Sequence, residues 1–121
     1  MNTYAAPPNA YQQSSVLTAS PERLVVLLYD GMHRFFSQAA AAMRAQDIPG
    51  AHTKLRAGEA ILAHLQGTLD LDQGELAQNL LSIYLFCRRH LNEARAELNP
   101  AKVDEVDGLL STLRDAWDQI C

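Results

Sequence analysis

Apolar residues crowd the stretch Leu24-Val25-Val26-Leu27-Leu28-Tyr29 too densely for a helix that buries a single stripe. Stepped at about 100° per residue, Leu24, Leu28, Gly31, Phe35 and Ala39 form one seam of a helix. Val25, Tyr29, Met32, Phe36 and Met43 form a second, roughly 100° away. Leu27 widens the first side and Val26 lies toward the back, so the apolar arc covers more than half the circumference. A helix with two seams is either central in its domain or packs its own bundle while holding a surface for something else.

Ser20 is placed to cap the start of this helix, Pro21 sits where a missing N–H costs nothing, and Glu22 suits the positive helix end. The helix is expected to run to about Ala45, and Gln46-Asp47-Ile48-Pro49-Gly50 reads as a short break. Helix two follows with Ala51, Leu55, Gly58, Leu62, Leu65 and Leu69 spaced 4-3-4-3-4, a heptad seam that Ile61 widens. Asp70-Leu71-Asp72-Gln73-Gly74 is a turn. Helix three spans about Glu75 to Leu98 on Leu76, Leu80, Ile83, Cys87, Leu91 and Ala94, flanked by Leu81, Tyr84 and Phe86. Asn99-Pro100 repeats the cap-plus-proline start, and helix four carries Val103, Val106, Leu110, Leu113, Trp117 and Ile120. No alternating strand pattern occurs. Connections this short force neighbours antiparallel, so residues 19–121 are expected to form an all-α, up-down-up-down four-helix bundle. Residues 1–18 differ: Pro7-Pro8 and Gln12-Gln13-Ser14-Ser15 predict a flexible N-terminal arm with few anchors, Tyr4, Tyr11, Val16 and Leu17.

Composition narrows the function classes. The 121 residues suffice for one domain with its own core, and the formal charge of −4 without a Lys/Arg stripe argues against nucleic acid as a partner. No apolar run approaches the ~18 residues of a membrane span, so membrane insertion is not expected. Met1-Asn2-Thr3-Tyr4 lacks the charge-then-apolar pattern of a secretory signal, and Cys87 and Cys121 read as free thiols, so a cytoplasmic location is expected. Of the four histidines only His33 has a carboxylate three residues ahead, Asp30, so no metal site is expected. Ala63-His64-Leu65-Gln66-Gly67 resembles a phosphotransfer histidine stretch, but Gln66 stands where a cation belongs. There is no nucleophile elbow or phosphate-cradling loop, so no catalytic residue is assigned and the chain is not expected to be an enzyme. Arg88-Arg89-His90 reads as a solvated basic face.

The stretch from Ala10-Tyr11-Gln12-Gln13-Ser14-Ser15-Val16-Leu17 through Thr18-Ala19-Ser20-Pro21-Glu22-Arg23-Leu24 runs into Leu28-Tyr29-Asp30-Gly31. It closely resembles the opening of the flagellar secretion chaperone family FliS. The likeness continues at Arg56-Ala57, Leu69-Asp70, Gly74-Glu75-Leu76-Ala77, Glu105-Val106 and Leu113-Arg114-Asp115-Ala116-Trp117. Ile83-Tyr84-Leu85-Phe86-Cys87 is more apolar than the family's usual Leu-Tyr-Asp-Tyr-Met.

The resemblance implies a cytoplasmic protein that binds the disordered C-terminal segment of flagellin. Such a protein keeps flagellin from polymerising and delivers it to the flagellar export machinery, with no cofactor. Joined to the second seam, it suggests a groove of Val25, Tyr29, Met32 and Phe36 on helix one, and another of Leu81, Tyr84 and Phe86 on helix three. Tyr11 and Val16 of the arm would cover such a groove when the client is absent, limiting self-association. The plainer reading of Tyr29, Phe36 and Tyr84 is core filling, as it is for Leu24, Leu28, Leu62, Leu110 and Trp117. The alternatives are a phosphotransfer bundle using His64 and a plain dimerising bundle whose spare stripe is the dimer seam.

Overall fold

The structure, a computed structural model, describes residues 20–119. Four helices follow one another: α1 (Pro21–Arg44), α2 (Ile48–Gly67), α3 (Glu75–Glu97) and α4 (Pro100–Asp118), with one 3-10 turn at Leu71–Gln73 between α2 and α3. They form the expected antiparallel bundle, and the described residues contain no strand.

Three of the four helices begin by the same device. Ser20 Oγ accepts the Arg23 N–H at 3.1 Å, and the Asn99 side chain accepts that of Ala101 at 3.0 Å, each beside a proline in the first turn. Asp47 does the same for α2, accepting the Gly50 N–H at 3.1 Å with Pro49 in the first turn. The stretch read from sequence as a break is therefore mostly a helix start. Ile48, Pro49 and Gly50 belong to α2, because a capped first turn tolerates proline.

α1 packs lengthwise against α2 and α4, and α3 closes the bundle opposite α1, touching α2 and α4 more sparsely. This arrangement explains the two seams. The first faces α2, where Gly31 lies against Ile61; Phe36, of the second, also reaches α2, its ring over Gly58. The second points through the interior, and the Tyr29 and Tyr84 hydroxyls meet across the diagonal at 2.5 Å. Helix one is thus central in its domain, the first of the two alternatives its pattern left open.

The flank of α1 toward α4 is polar and paired along its length. Arg23 bonds Asp118 at 3.0 Å, Asp30 accepts from Arg114 at 2.8 Å, His33 meets Asp107 at 2.9 Å, and Arg44 bonds Asp104 at 2.6 Å. Each such pair is worth little on a surface, but the order of signs fits one antiparallel register. On the other side of α4, His90 contacts Glu105 at 2.5 Å while Lys102 bonds Glu93 at 2.9 Å. α3 and α2 are joined by Arg88 to Gln66 and by Arg95 to Glu59.

A Cβ at Gly58 would fall inside van der Waals distance of three atoms of the Phe36 ring, which is fully buried. Gly58→Ala should therefore push α1 and α2 apart and destabilise the bundle by about 1–3 kcal/mol despite the better helix propensity of alanine. Urea denaturation measures this. An unchanged midpoint would mean that the helix pair has slack.

Candidate functional site

Tyr29 is 2% exposed, and Met32 and Phe36 are fully buried. This corrects the expectation that they line an open groove on helix one. With α2 and α4 on its flanks and α3 across the interior, α1 has all of these side chains enclosed. Tyr84 is also buried. Leu81 and Phe86 do not share a groove. Leu81 lies on the side of α3 that carries Arg88 and Arg95 toward α2. Phe86 is 43% exposed and stacks on His90, which faces α4, with ring centroids 5.2 Å apart. Tyr11 and Val16 lie outside the described residues.

An open apolar surface lies at one end of the bundle. There the start of α1, the end of α2, the start of α3 and the end of α4 leave a cleft of about 290 Å³. Val25, Leu65, Leu69, Leu76, Leu80 and Trp117 supply its apolar walls, with Tyr84 among the lining residues. A smaller lobe of about 190 Å³ adds Leu113 and Ala116 to the shared Leu76, Leu80 and Trp117. Of the groove residues expected from sequence, Val25 and Tyr84 are the two brought together here.

Leu76 shows why the cleft is open. Its spacing to Leu80, Ile83 and Cys87 sets it on the interior stripe of α3, yet it is 67% exposed. The chain before it forms a compact turn and not a lid: Asp70 accepts from the Asp72 N–H at 3.1 Å and from the Gln73 side chain at 3.3 Å. Gly74 then enters α3 at φ 107°, a conformation that favours glycine. Among the described residues, none covers this inward-facing leucine at the bundle end.

Under the cleft lies a buried polar pair, the Tyr29 and Tyr84 hydroxyls, hydrogen-bonded to one another at 2.5 Å. Burial pushes the pKa of both phenols up, so each keeps its proton at physiological pH. Burial also pushes the Cys87 thiol up to about 11, which makes it an inert packing residue. The candidate metal pair is otherwise engaged, Asp30 with Arg114 and His33 with Asp107. Among the described residues no group of three or more His, Cys, Asp or Glu side chains is placed to hold a metal ion. His64 is exposed on α2. No helix of the described residues is long and apolar enough to cross a membrane.

Sequence reasoning missed Leu65, Leu69, Leu76, Leu80, Leu113 and Ala116 as cleft residues and assigned Trp117 to the core. The available signal was positional. Leu69 and Leu76 flank the turn, and Trp117 lies in the last turn of α4, so all three sit in an end layer.

Residues 4–121 match the family model described as flagellar protein FliS. The chain is 34% identical over 113 residues to the flagellar secretion chaperone FliS of Bacillus subtilis, covering 93% of this chain and 84% of that one. It is 35% identical over 115 residues to the flagellar secretion chaperone FliSB of Pseudomonas aeruginosa, covering 91% of each. Against the Salmonella typhimurium protein of the same name as the Bacillus one, identity is 32% over 110 residues, 89% of this chain and 82% of that one. The fold matches a crystal structure of a flagellar chaperone from bacteria with a TM-score of 0.77 at 16% identity, covering 94% of this chain and 97% of that one.

Proposed function

This chain belongs to the FliS family of flagellar proteins, and from that premise we propose that it is a cytoplasmic export chaperone for flagellin. In this reading it binds the disordered C-terminal segment of flagellin, holds that segment from premature polymerisation and presents it to the flagellar export machinery. The role is non-enzymatic and uses no cofactor. The observation that carries it is the apolar cleft that no described residue covers, with Leu76 facing inward and exposed.

The physics follows from an apolar end layer that no described residue covers. Flagellin stripes that would otherwise pair with other flagellins find in the cleft a preformed groove for an amphipathic turn. A wrapped segment reaches beyond it, over exposed Leu85 and Phe86 on α3, toward the ~2,000 Å² or more of large signalling-type interfaces. Ordering the segment costs about 2–5 kcal/mol, which tempers affinity and eases release to the export machinery. α1 begins at the cleft, and Tyr11 and Val16, which precede α1 in the sequence, are the proposed cover in the client-free protein.

Trp117 is the single tryptophan of the chain and a cleft wall, so it reports on occupancy. Titrating in a tryptophan-free flagellin C-terminal segment should shift indole emission to shorter wavelength and give a one-to-one complex in light scattering. Binding of flagellin lacking that segment as tightly as the full-length protein would overturn the reading.

A further inference from the structure

Asp70 is the one charged residue among those lining the cleft and its lobe. Thr68 and Gln73 beside it are engaged within the chain. The Thr68 hydroxyl donates to the Leu65 carbonyl at 2.8 Å, and the Gln73 side-chain N–H donates to Asp70 at 3.3 Å. Asp70 also accepts the Asp72 N–H at 3.1 Å, so two of the about four acceptor positions of its carboxylate are used, both by neutral donors. All ten Lys and Arg residues of the chain lie within the described residues, and none forms an ion pair with Asp70. Arg23 and Arg114, at the same end of the bundle, are taken up by Asp118 and Asp30. An exposed carboxylate thus stands on the rim of an apolar cleft, and the chain supplies no side-chain cation to it.

We infer that Asp70 is a specificity residue of the cleft, placed to pair with a Lys or Arg of the flagellin segment one helical turn from the apolar side chain that fills the cleft. The inference rests on the proposed function and names the chemistry the client must carry. Residues three or four apart share a face of a helix, so an anchor in the cleft sets such a cation at its rim. Asp70 lies in the α2–α3 turn and the lobe of Leu113 and Ala116 on the α4 side, so the pair also fixes which way the client's turn lies across Leu76. An ion pair on an open surface contributes little. A bound client excludes water from the mouth of an apolar cleft, and there the same pair is screened less. The charge also separates client from arm. Residues 1–19 include Tyr11 and Val16 for the walls but no Lys or Arg, so the client gains a contact that no side chain of the arm offers.

Asp70→Asn tests this, since the amide oxygen can still accept the Asp72 N–H and keep the turn, so its melting should match the parent's. At about 50 mM salt, affinity for the tryptophan-free flagellin C-terminal segment should fall about 3- to 10-fold, between the effects of an exposed ion pair and of a charged hydrogen bond. By about 500 mM salt the parent's advantage should be gone, because screening acts on the charge and not on the walls. Asp72→Asn, in the same turn but not among the lining residues, should stay within about twofold of the parent. The segment with its Lys and Arg residues replaced by Gln should bind the parent more weakly and lose nothing further to Asp70→Asn. Parent-like affinity of Asp70→Asn at low salt, or equal losses in Asp70→Asn and Asp72→Asn, would overturn the inference and leave the chaperone reading intact. Absence of binding by the parent protein would overturn both.

Discussion

Tyr29→Asp should unfold the bundle, not merely silence a binding surface. Tyr29 is 2% exposed and its hydroxyl touches that of Tyr84 at 2.5 Å, so one buried side chain links α1 to α3. Aspartate at this position removes a large buried ring and sets a carboxylate among Met32, Phe36, Cys87 and Leu110, all in the same buried cluster. The cavity alone is worth about 3–5 kcal/mol, and an unpaired buried charge adds to it. A domain of this size has about 5–15 kcal/mol in hand, so most of its stability is lost. Far-ultraviolet circular dichroism with a urea titration should show a large drop in midpoint or loss of helix. Normal helicity and melting with lost client binding would instead return Tyr29 to the surface role its seam suggested. Phe36 and Met32 belong to the same enclosed stripe, so charged substitutions there should act alike.

Periodicity in the sequence reports which faces of a helix avoid water, and on that question the helix spans, the antiparallel bundle and the caps at Ser20 and Asn99 were all legible. It does not report which of two apolar faces finds a neighbour. α1 carries two seams and α3 a single stripe with flanking apolar residues, and a groove was expected on each. The structure encloses the α1 seam, because α1 lies between α2 and α4 with α3 across the core, and exposed leucines are found on the more sparsely packed α3. Leu76 and Leu80 lie on the same stripe one turn apart, but the first is open and the second buried. The difference is that no described residue covers the bundle end, a property of four chain segments that no local window contains. The ion pairs of α1 with α4 escaped notice for a related reason. Asp30 and His33 belong to neither apolar seam, and their partners Arg114 and Asp107 lie far along the chain. At Asp47 the error was local: Pro49 and Gly50 were weighed as breakers without the cap that precedes them.

That same end layer makes Leu76→Glu the sharpest test of function. Leu76 is already 67% exposed, so the substitution removes little buried area, and a surface change of this kind alters stability by about 0.5 kcal/mol or less. Leu76 is the second residue of α3, where a carboxylate is favoured by the helix dipole, so the folded state should lose nothing measurable. In the complex, by contrast, the carboxylate would be enclosed between the client and the apolar walls formed by Leu80, Leu113 and Trp117. Desolvating it there without a partner costs several kcal/mol, and the side chain's escape to the rim returns part of that. Affinity for the flagellin C-terminal segment should therefore fall about 100-fold or more, a change of about 2.7 kcal/mol. Isothermal titration calorimetry reads the affinity, and a parallel melt confirms the fold. Leu76→Gln, with no charge to desolvate, should lose much less. Parent-like affinity for Leu76→Glu would mean that the client binds elsewhere and that the open end of the bundle is only an unfilled layer.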